Sequence, residues 1–340
     1  MAGELEASVV IPTHNRAPLL DRVLASFVTQ NADPSVFEVI VVDDGSTDDT
    51  SAVCRKYQQR LDLRYVPIAR AGLPAAKNAG LTVARGQIVL FADDDDTADP
   101  ELVAEHLRVH REAPSRTAVL RYGTWDPSLR VTDLMHFVTD IGQFLSAYRG
   151  LRHGDVLDFR YFWGGRVSVE RDFIQESGGF DEQMAALEDV ELGYRLSEKG
   201  LRVVFTRRAV NYMLRSFDYE GFCRRCERTG AALARFRALH PGPVVAQYGT
   251  VLLGPRVERL MAAAAHGDAR MQAVAAAERR LEVLADEVLS LEQRLESGRL
   301  PASSPLARLS STRRRLYKLY DESFRTATLK GALAVDERPP

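Results

Sequence analysis

Four aspartates in a row, Asp93 to Asp96, directly follow the apolar residues IVLFA. Neighbouring carboxylates repel one another, and a divalent cation between them relieves that repulsion. Magnesium and manganese ions are usually held by one or two carboxylates, with phosphate oxygens and water as the other ligands. Helix capping is the alternative explanation, because Asp96 or Asp99 could cap a helix that starts at Pro100. A helix does not need four caps, so the cluster predicts a metal or substrate site that contains Asp93, Asp95 or both.

A second acidic pair, Asp43 and Asp44, ends the apolar run FEVIVV and is followed by Gly45. A carboxylate at a strand end can accept hydrogen bonds from a nucleobase edge or a ribose, and glycine allows a tight turn there. The sequence DDGS is also typical of an ordinary turn. For this stretch alone both interpretations stay open, and the second aspartate cluster favours a binding site.

The third acidic site is the pair Glu188 and Asp189 in ALEDVELGYRL. Carboxylates are favoured in the first turn of any helix, because unpaired N–H groups and the helix dipole attract negative charge. That is the structural interpretation of the pair. The functional interpretation is a general base that faces the same crevice as the aspartate clusters.

The elements that must position these residues alternate between strand and helix. Short β-branched runs predict strands in ASVVIPTHN, FEVIVVDD, LRYVPIA and QIVLFADDDD, with amphipathic helices between them. The alternation predicts an α/β fold with a mostly parallel sheet flanked by helices, in which ligands bind at the carboxyl ends of the strands. The polar residues at three strand ends should therefore meet in one crevice: Thr13–Arg16, Asp43–Ser46 and Asp93–Asp96.

The C-terminal part is helical from about Tyr219 onward. Between Val274 and Leu295, apolar residues recur over about three heptads, which predicts a short coiled coil or a helical hairpin. These helices could support a homo-oligomer. The basic segment Arg313–Lys318 could make a weak contact with an anionic membrane surface. We predict two halves of one domain, residues 1–115 and 116–218, followed by a helical extension, residues 219–340.

Composition excludes several classes of protein. The 340 residues include 45 Lys and Arg against 47 Asp and Glu, so no overall basic field favours nucleic acid. Three cysteines do not suit a disulfide framework and fit a reducing compartment. The start MAGELEASVVIPTHN does not have the pattern of a signal peptide, and no run approaches the roughly 18–20 apolar residues of a membrane span. We therefore expect a cytoplasmic protein that does not bind nucleic acid.

Six short motifs in order resemble the family 2 glycosyltransferases, whose GT-A fold has a Rossmann-like sheet. They are VVIPTHNR, EVIVVDDGSTDDT, AAKNAG, FADDDD, GGF and EDVELGYRL, from about Val9 to Phe205. The resemblance implies an inverting, hexosyltransferase-type enzyme of carbohydrate biosynthesis that moves a sugar from a nucleotide-diphosphate donor, with UDP or dTDP favoured, to an acceptor hydroxyl. It implies Mn²⁺ or Mg²⁺ as cofactor. The acceptor stays open: a glycan, a lipid-linked sugar, a protein or a small molecule.

The resemblance also assigns roles to residues. Asp93 and Asp95 match the DxD pair, in which Asp93 would contact the ribose and Asp95 would bind the metal. Asp189 matches the catalytic base, and Glu188 would orient the acceptor or the donor sugar. The other nucleotide-sugar-binding positions that the motifs imply are Pro12, Thr13, Asn15, Arg16, Asp43, Asp44, Lys77, Asp94, Trp163, Gly164 and Gly165.

One departure from the family pattern concerns the metal. Many relatives place a histidine ligand after the strand that follows the ED helix, whereas this chain reads TRRAVNYMLRSFDY there. Either Asn211 replaces the histidine, or the metal relies on Asp95, phosphate and water. The departure leaves an alternative function, a non-catalytic GT-A-like nucleotide-sugar binder or scaffold that acts through its C-terminal helices. The QxxRW signature of processive synthases does not occur, which favours single addition.

Overall fold

The computed structural model describes residues 5–254, 267–296 and 311–335. The chain forms two compact units, one of Met1–Arg130 with Tyr148–Arg215 and one of Val131–Ala147 with Ser216–Pro340. The first unit contains most of both predicted halves, residues 1–115 and 116–218, and Ser216 lies near the predicted start of the helical extension at residue 219. Residues 131–147, predicted in the second half, fall in the second unit instead. The segment 131–147 belongs to the helical unit because its aromatic side chains pack there, with the rings of Phe144 and Phe324 5.4 Å apart.

The described part of the first unit contains nine strands: β1 (Ala7–Thr13), β2 (Phe37–Asp44), β3 (Leu63–Ile68), β4 (Ile88–Phe91), β5 (Asp96–Ala98), β6 (Thr117–Trp125), β7 (Val156–Leu157), β8 (Val167–Glu170) and β9 (Arg202–Met213). They form one sheet in the order β3-β2-β1-β4-β8-β6-β9-β5, with β7 paired to β9. The neighbours β3, β2, β1 and β4 run parallel, and so do β6 and β9. Strand β8 is antiparallel to β4 and β6, and β5 and β7 are antiparallel to β9.

Helices cover both faces of this sheet, as the alternating sequence pattern predicts. The helices of this unit are α1 (Ala17–Val28), α2 (Thr50–Tyr57), α3 (Leu73–Val83), α4 (Leu102–Glu112), α6 (Arg171–Gln175) and α7 (Glu188–Ser197). The described helices of the second unit are α5 (Asp133–His136), α8 (Tyr219–Leu239), α9 (Pro243–Leu253), α10 (Gly267–Glu296) and α11 (Ser311–Ala334). One apolar core contains side chains of α1, α2 and α4, and the other contains side chains of α3, α6 and α7. Strands β1 and β2 lie between the two cores and are buried along their whole length. Burial on both faces explains their continuous β-branched sequence.

The fourth predicted strand ends earlier than its letters suggest. Strand β4 stops at Phe91, and the aspartate run crosses a turn before Asp96 opens the short strand β5. Strand β5 pairs with the end of β9, where Asp96 lies opposite Met213. The long-range pairing with β9 decides this boundary, so the four aspartates take different directions.

The second unit is a helical bundle with an aromatic core. Phe324 of α11 lies 4.7 Å from the ring of Phe222 and 5.8 Å from that of Tyr320. Helix α10 packs against α11 through the apolar row predicted from the heptads, whose members Leu284 and Val288 are fully buried. In the described ranges, no helix combines the length and the apolar character needed to cross a bilayer.

Candidate active site

The loops after β1, β2 and β4 meet at one edge of the sheet, because these strands are parallel neighbours. Thr13, the last residue of β1, lies beside Asp43 in the register of β2. The Thr13 hydroxyl donates a hydrogen bond of 2.8 Å to Asp94. A ring nitrogen of His14 lies 2.8 Å from the backbone oxygen of Asp44. The polar strand ends therefore form one continuous edge.

Asp43 and Asp44 are buried and hold the surrounding loops. Asp44 accepts hydrogen bonds from the backbone N–H groups of Ala71, at 2.6 Å, and Gly72, at 3.0 Å. Asp43 accepts a hydrogen bond of 2.5 Å from the Tyr65 hydroxyl. These contacts fix the loop in front of α3. A contact of Asp44 with a nucleobase stays a prediction.

Pro12 and Asn15 support the loop after β1. Pro12 is a buried residue of β1, paired with Val42 of β2. Asn15 has a left-handed backbone with φ of 51°, and its side-chain oxygen accepts a 2.7 Å hydrogen bond from the N–H of Thr47. Asparagine tolerates this conformation better than most residues. The two residues thus shape the edge where we expect the nucleotide.

Asp94 and Asp95 both face arginines. Arg16 donates to Asp94 at 2.5 Å and lies 3.2 Å from Oδ2 of Asp95. Arg215 donates to the same Asp95 oxygen at 3.1 Å. Burial raises the pKa of Asp94 to about 6, against the opposing charge of Arg16. Burial and the nearby Asp93 carboxylate raise the pKa of Asp95 in spite of both arginines.

Asp96 points to the interior instead. It accepts a hydrogen bond from the amide nitrogen of Asn211 and lies 3.9 Å from Nε of Arg166. Burial raises the pKa of Asp96 to about 7. Asn211 is 1% exposed, and its amide oxygen accepts a 3.0 Å hydrogen bond from Arg121. Both amide atoms of Asn211 are thus engaged by neighbouring side chains, and its replacement of the histidine ligand stays a prediction.

The sequence motifs assign no role to Arg121. It is 1% exposed, and besides Asn211 it donates to the backbone oxygens of Phe91, at 3.0 Å, and Gly165, at 2.5 Å. Burial lowers the pKa of its guanidinium to about 10. The side chain therefore ties the end of β4, just before the aspartates, to the Gly165 loop and to β9. Its signal in the sequence is a single arginine inside the apolar strand AVLRYGTW.

Gly164 and Gly165 connect the aspartate cluster, Asp93 to Asp96, with the start of helix α7, where Glu188 and Asp189 lie. A Cβ atom on Gly165 would overlap the Asp93 carboxylate. A Cβ atom on Gly164 would lie 2.5 Å from Nζ of Lys77 and 2.8 Å from Cβ of Asp189. Both distances are too short for real contacts, so only glycine lets these side chains approach. Asp93 and Asp189 thus lie on either side of a two-glycine bridge.

Asp189 stands in the first turn of α7 with both carboxylate oxygens oriented by the backbone. The N–H of Gly164 donates to Oδ2 and that of Val190 to Oδ1, each at 2.8 Å. Burial and then the charge of Glu188 raise the pKa of Asp189 to about 6. Leu187, two residues before Asp189, has a left-handed backbone with φ of 56°. Such strained conformations are concentrated at functional sites. Asp189 as a whole residue is of intermediate exposure.

Glu188 is held by Lys77 rather than left free. The two side chains form a buried ion pair of 2.7 Å. Burial lowers the pKa of Lys77, but the carboxylates of Glu188 and Asp189 outweigh it, and the net pKa is raised. Lys77 therefore stays charged and balances the charge of Glu188. Of the two acids, Glu188 has the direct ion pair with this cation, and Asp189 is bound by backbone N–H groups instead.

Trp163 borders the glycine bridge. Its indole N–H donates to the backbone oxygen of Arg160 at 2.8 Å, and its ring lies 5.2 Å from Tyr148 and 5.4 Å from Tyr161. The side chain is half-buried. The ring thus has an aromatic packing role, and stacking on a sugar stays a prediction.

The aspartate cluster fits a divalent cation that takes only one or two protein ligands. Within the described residues there is no group of three or more His, Cys, Asp or Glu side chains arranged to hold a metal. However, Asp93 and Asp95 lie close enough for the charge of Asp93 to raise the pKa of Asp95. A cation between them would relieve that repulsion. The remaining ligands would be substrate oxygens and water.

This strand-end site on a sheet covered from both sides agrees with the comparisons to known proteins. Residues 8–173 match the family model described as Glycosyl transferase family 2. For residues 8–173 this match confirms the recognition made from the motifs. A relative that it matches is the validoxylamine A glucosyltransferase of Streptomyces hygroscopicus subsp. limoneus, 33% identical over 59% of this chain and 49% of the relative. The chain spans about half the length of these curated relatives.

Solved structures show the same fold. The mannosyltransferase PcManGT from Pyrobaculum calidifontis, in complex with GDP-Man and Mn²⁺, matches with a TM-score of 0.61 and 21% identity, over 97% of this chain and 86% of that one. S. aureus TarS 1–349, in complex with UDP-GlcNAc, matches with a TM-score of 0.53 and 16% identity, over 94% and 90%. The predicted GT-A fold with a helical C-terminal part is thereby confirmed.

Proposed function

We propose that this protein is an inverting glycosyltransferase that moves a sugar from a nucleoside-diphosphate donor to an acceptor hydroxyl, with Asp189 as general base. The observation that carries the proposal is the placement of Asp189, with a pKa raised to about 6, across the glycine bridge from Asp93. A base on one side of the reacting carbon and a charge-stabilising site on the other are what direct displacement requires.

Asp189 takes the proton of the acceptor hydroxyl in this mechanism. The acceptor oxygen forms a bond to the anomeric carbon while the bond from that carbon to the phosphate oxygen breaks, and the diphosphate leaves with the electron pair. The N–H of Gly164 orients the Asp189 carboxylate. Lys77 keeps Glu188 neutralised, so that two adjacent carboxylates can remain ionised.

Asp93 and Asp95 would hold Mn²⁺ or Mg²⁺, which when bound supplies positive charge that stabilises the departing diphosphate. The proposal of a divalent cation is supported by the repulsion between these carboxylates and by the complex of the mannosyltransferase PcManGT with GDP-Man and Mn²⁺. For the nucleotide we propose UDP or dTDP; the related structures carry a uridine and a guanosine donor. The acceptor would be a hydroxyl of a glycan, a lipid-linked sugar, a protein or a small molecule.

The direct test is donor turnover by the wild type and by Asp189→Asn. Each of UDP-glucose, UDP-GlcNAc, dTDP-glucose and GDP-mannose is incubated with Mn²⁺ and a mixture of sugar and polyol acceptors, and released nucleoside diphosphate is measured. The proposal expects release with one donor, and a decrease of about 10²–10⁴-fold in Asp189→Asn. Asp21→Asn is the matched control, because Asp21 forms a surface ion pair with Lys56.

Equal activity of Asp189→Asn and the wild type would remove Asp189 from the mechanism. If the wild type releases no nucleoside diphosphate from any donor but binds the nucleotides, the non-catalytic alternative replaces the proposed enzyme.

A further inference from the structure

Arg215 occupies a distinctive position next to the aspartate cluster. It lies two residues beyond the end of β9, on a segment that the N–H of Leu214 fixes to the backbone oxygen of Asp95 at 2.8 Å. Its guanidinium donates to Oδ2 of Asp95 at 3.1 Å, and its side chain is 44% exposed. A flexible cation is thus held at the solvent side of the predicted metal ligand.

The aspartate cluster is accompanied by as many arginines as carboxylates. Four carboxylates, Asp93 to Asp96, are accompanied by four arginines: Arg16, Arg121, Arg166 and Arg215. Each of the first three has several partners, whereas Arg215 contacts a single carboxylate oxygen among the described residues. When a divalent cation binds Asp95, Arg215 is therefore the cation that is released most easily.

The released guanidinium would lie where the donor's negative charge arrives. Arginine binds phosphate oxygens through a rigid fork of N–H groups, and such charge-assisted hydrogen bonds are stronger than neutral ones. We propose that Arg215 exchanges Asp95 for the diphosphate of the donor, and so contributes to nucleotide binding beside the metal. This inference rests on the proposed function, because it requires a nucleoside-diphosphate ligand in the crevice.

The exchange predicts a contribution of Arg215 to diphosphate binding that nucleoside binding does not share. Titration calorimetry in Mn²⁺ compares UDP, dTDP, GDP and ADP, and then the nucleoside of whichever binds. In Arg215→Ala the nucleoside diphosphate should bind about tenfold to hundredfold more weakly, the effect of one lost charge-assisted hydrogen bond. The nucleoside should bind as it does to the wild type, and Arg215→Lys should recover part of the loss.

The matched control is Arg111→Ala, because Arg111 is also exposed and forms a surface ion pair with a single acid, Glu6. It should leave both affinities unchanged. A second readout is Mn²⁺ binding to the nucleotide-free protein, followed by electron paramagnetic resonance. Because Arg215 competes with the metal for Asp95, Arg215→Ala should bind Mn²⁺ at least as tightly as the wild type.

Two results would overturn the inference while leaving the proposed function intact. One is unchanged affinity of Arg215→Ala for the nucleoside diphosphate. The other is equal weakening of nucleoside, nucleoside diphosphate and Mn²⁺, which would show that Arg215 only props the aspartate loop. If the wild type binds none of the four nucleoside diphosphates, the proposed function fails and the inference fails with it.

Discussion

At the scale of single residues, the site depends on carboxylates whose charge is controlled by their surroundings. Asp189 accepts two backbone hydrogen bonds, from the N–H groups of Gly164 and Val190. Glu188, its neighbour, is paired with Lys77. The two adjacent acids therefore have different partners, and the raised pKa of Asp189, about 6, suits a general base near neutral pH.

The pH dependence of turnover should report Asp189. Its pKa is raised to about 6, mainly by burial, so the base is ionised above that pH and protonated below it. The rate at saturating donor should therefore rise as the pH increases through about 6 and level off above. A pH series of the rate checks this.

Burial also raises the pKa of two residues of the aspartate cluster into this range, to about 6 for Asp94 and about 7 for Asp96. A parallel pH series of nucleotide affinity separates the two causes. If the affinity falls in step with the rate, the acid limb belongs to the donor site and not to the base.

The Lys77–Glu188 pair should be strongly coupled in stability. Lys77→Met leaves the Glu188 charge buried without its partner, and should lower the free energy of unfolding by about 3–5 kcal/mol. The double variant Lys77→Met with Glu188→Gln removes both charges and should recover part of that loss. Urea unfolding of the two single variants and the double variant measures the coupling. Strictly additive effects would contradict a direct interaction between the two side chains.

At the scale of elements, the glycine bridge before β8 is the piece that brings two distant motifs together. Gly165 lies against Asp93 from the β4 end, and Gly164 lies against Asp189 from the start of α7. Arg121, from the middle of β6, fixes the bridge through the backbone oxygen of Gly165. The alignment of the base with the aspartate cluster therefore depends on backbone positions more than on the acids themselves.

Gly165→Ala should disable the site without unfolding the protein. The added Cβ would overlap the Asp93 carboxylate, so Asp93 must move, and a shift of about 1 Å in a catalytic arrangement can cost about 10²-fold in rate. Donor turnover measures the loss of activity, and the circular dichroism spectrum shows whether the protein stays folded. Gly242→Ala is the control, because no atom of the described residues lies within 4 Å of a Cβ built there. Wild-type turnover in Gly165→Ala would show that the close approach is not needed.

At the scale of the whole chain, the helical unit has its own core. Phe324 is fully buried among the aromatic rings of Phe137, Phe144, Phe222 and Tyr320. This clustering explains how residues 131–147, which interrupt the α/β unit in sequence, belong to the helices instead.

Phe324→Ala should destabilise this unit by about 3–5 kcal/mol, as expected for truncation of a buried aromatic side chain. Hydrogen exchange would then accelerate in α8 and α11, while β1 and β2 keep their protection. Equal acceleration in the two units would show that they unfold together.

The sequence was sufficient for the sheet-and-helix alternation and for the acidic strand ends, because both follow from local patterns. Buried β-branched runs mark β1 and β2, and Asp43, Asp93 and Asp189 lie within two residues of the ends of β2, β4 and α7. The partners of Asp95 and Asn211 could not be predicted. Arg215 pairs with Asp95, and Arg121 pairs with Asn211, in each case across about a hundred positions of the chain. No local periodicity in the sequence encodes such a pairing.

The measurement that most directly tests the central claim is thermal unfolding with UDP, dTDP, GDP and ADP, each with and without Mn²⁺. A ligand at a hundred times its dissociation constant stabilises the folded state by about 2.7 kcal/mol, enough to raise the melting temperature visibly. We expect one nucleotide to raise the melting temperature of the wild type only in the presence of Mn²⁺. The rise should be lost in Asp95→Ala. No rise with any nucleotide, with or without the metal, would contradict that claim.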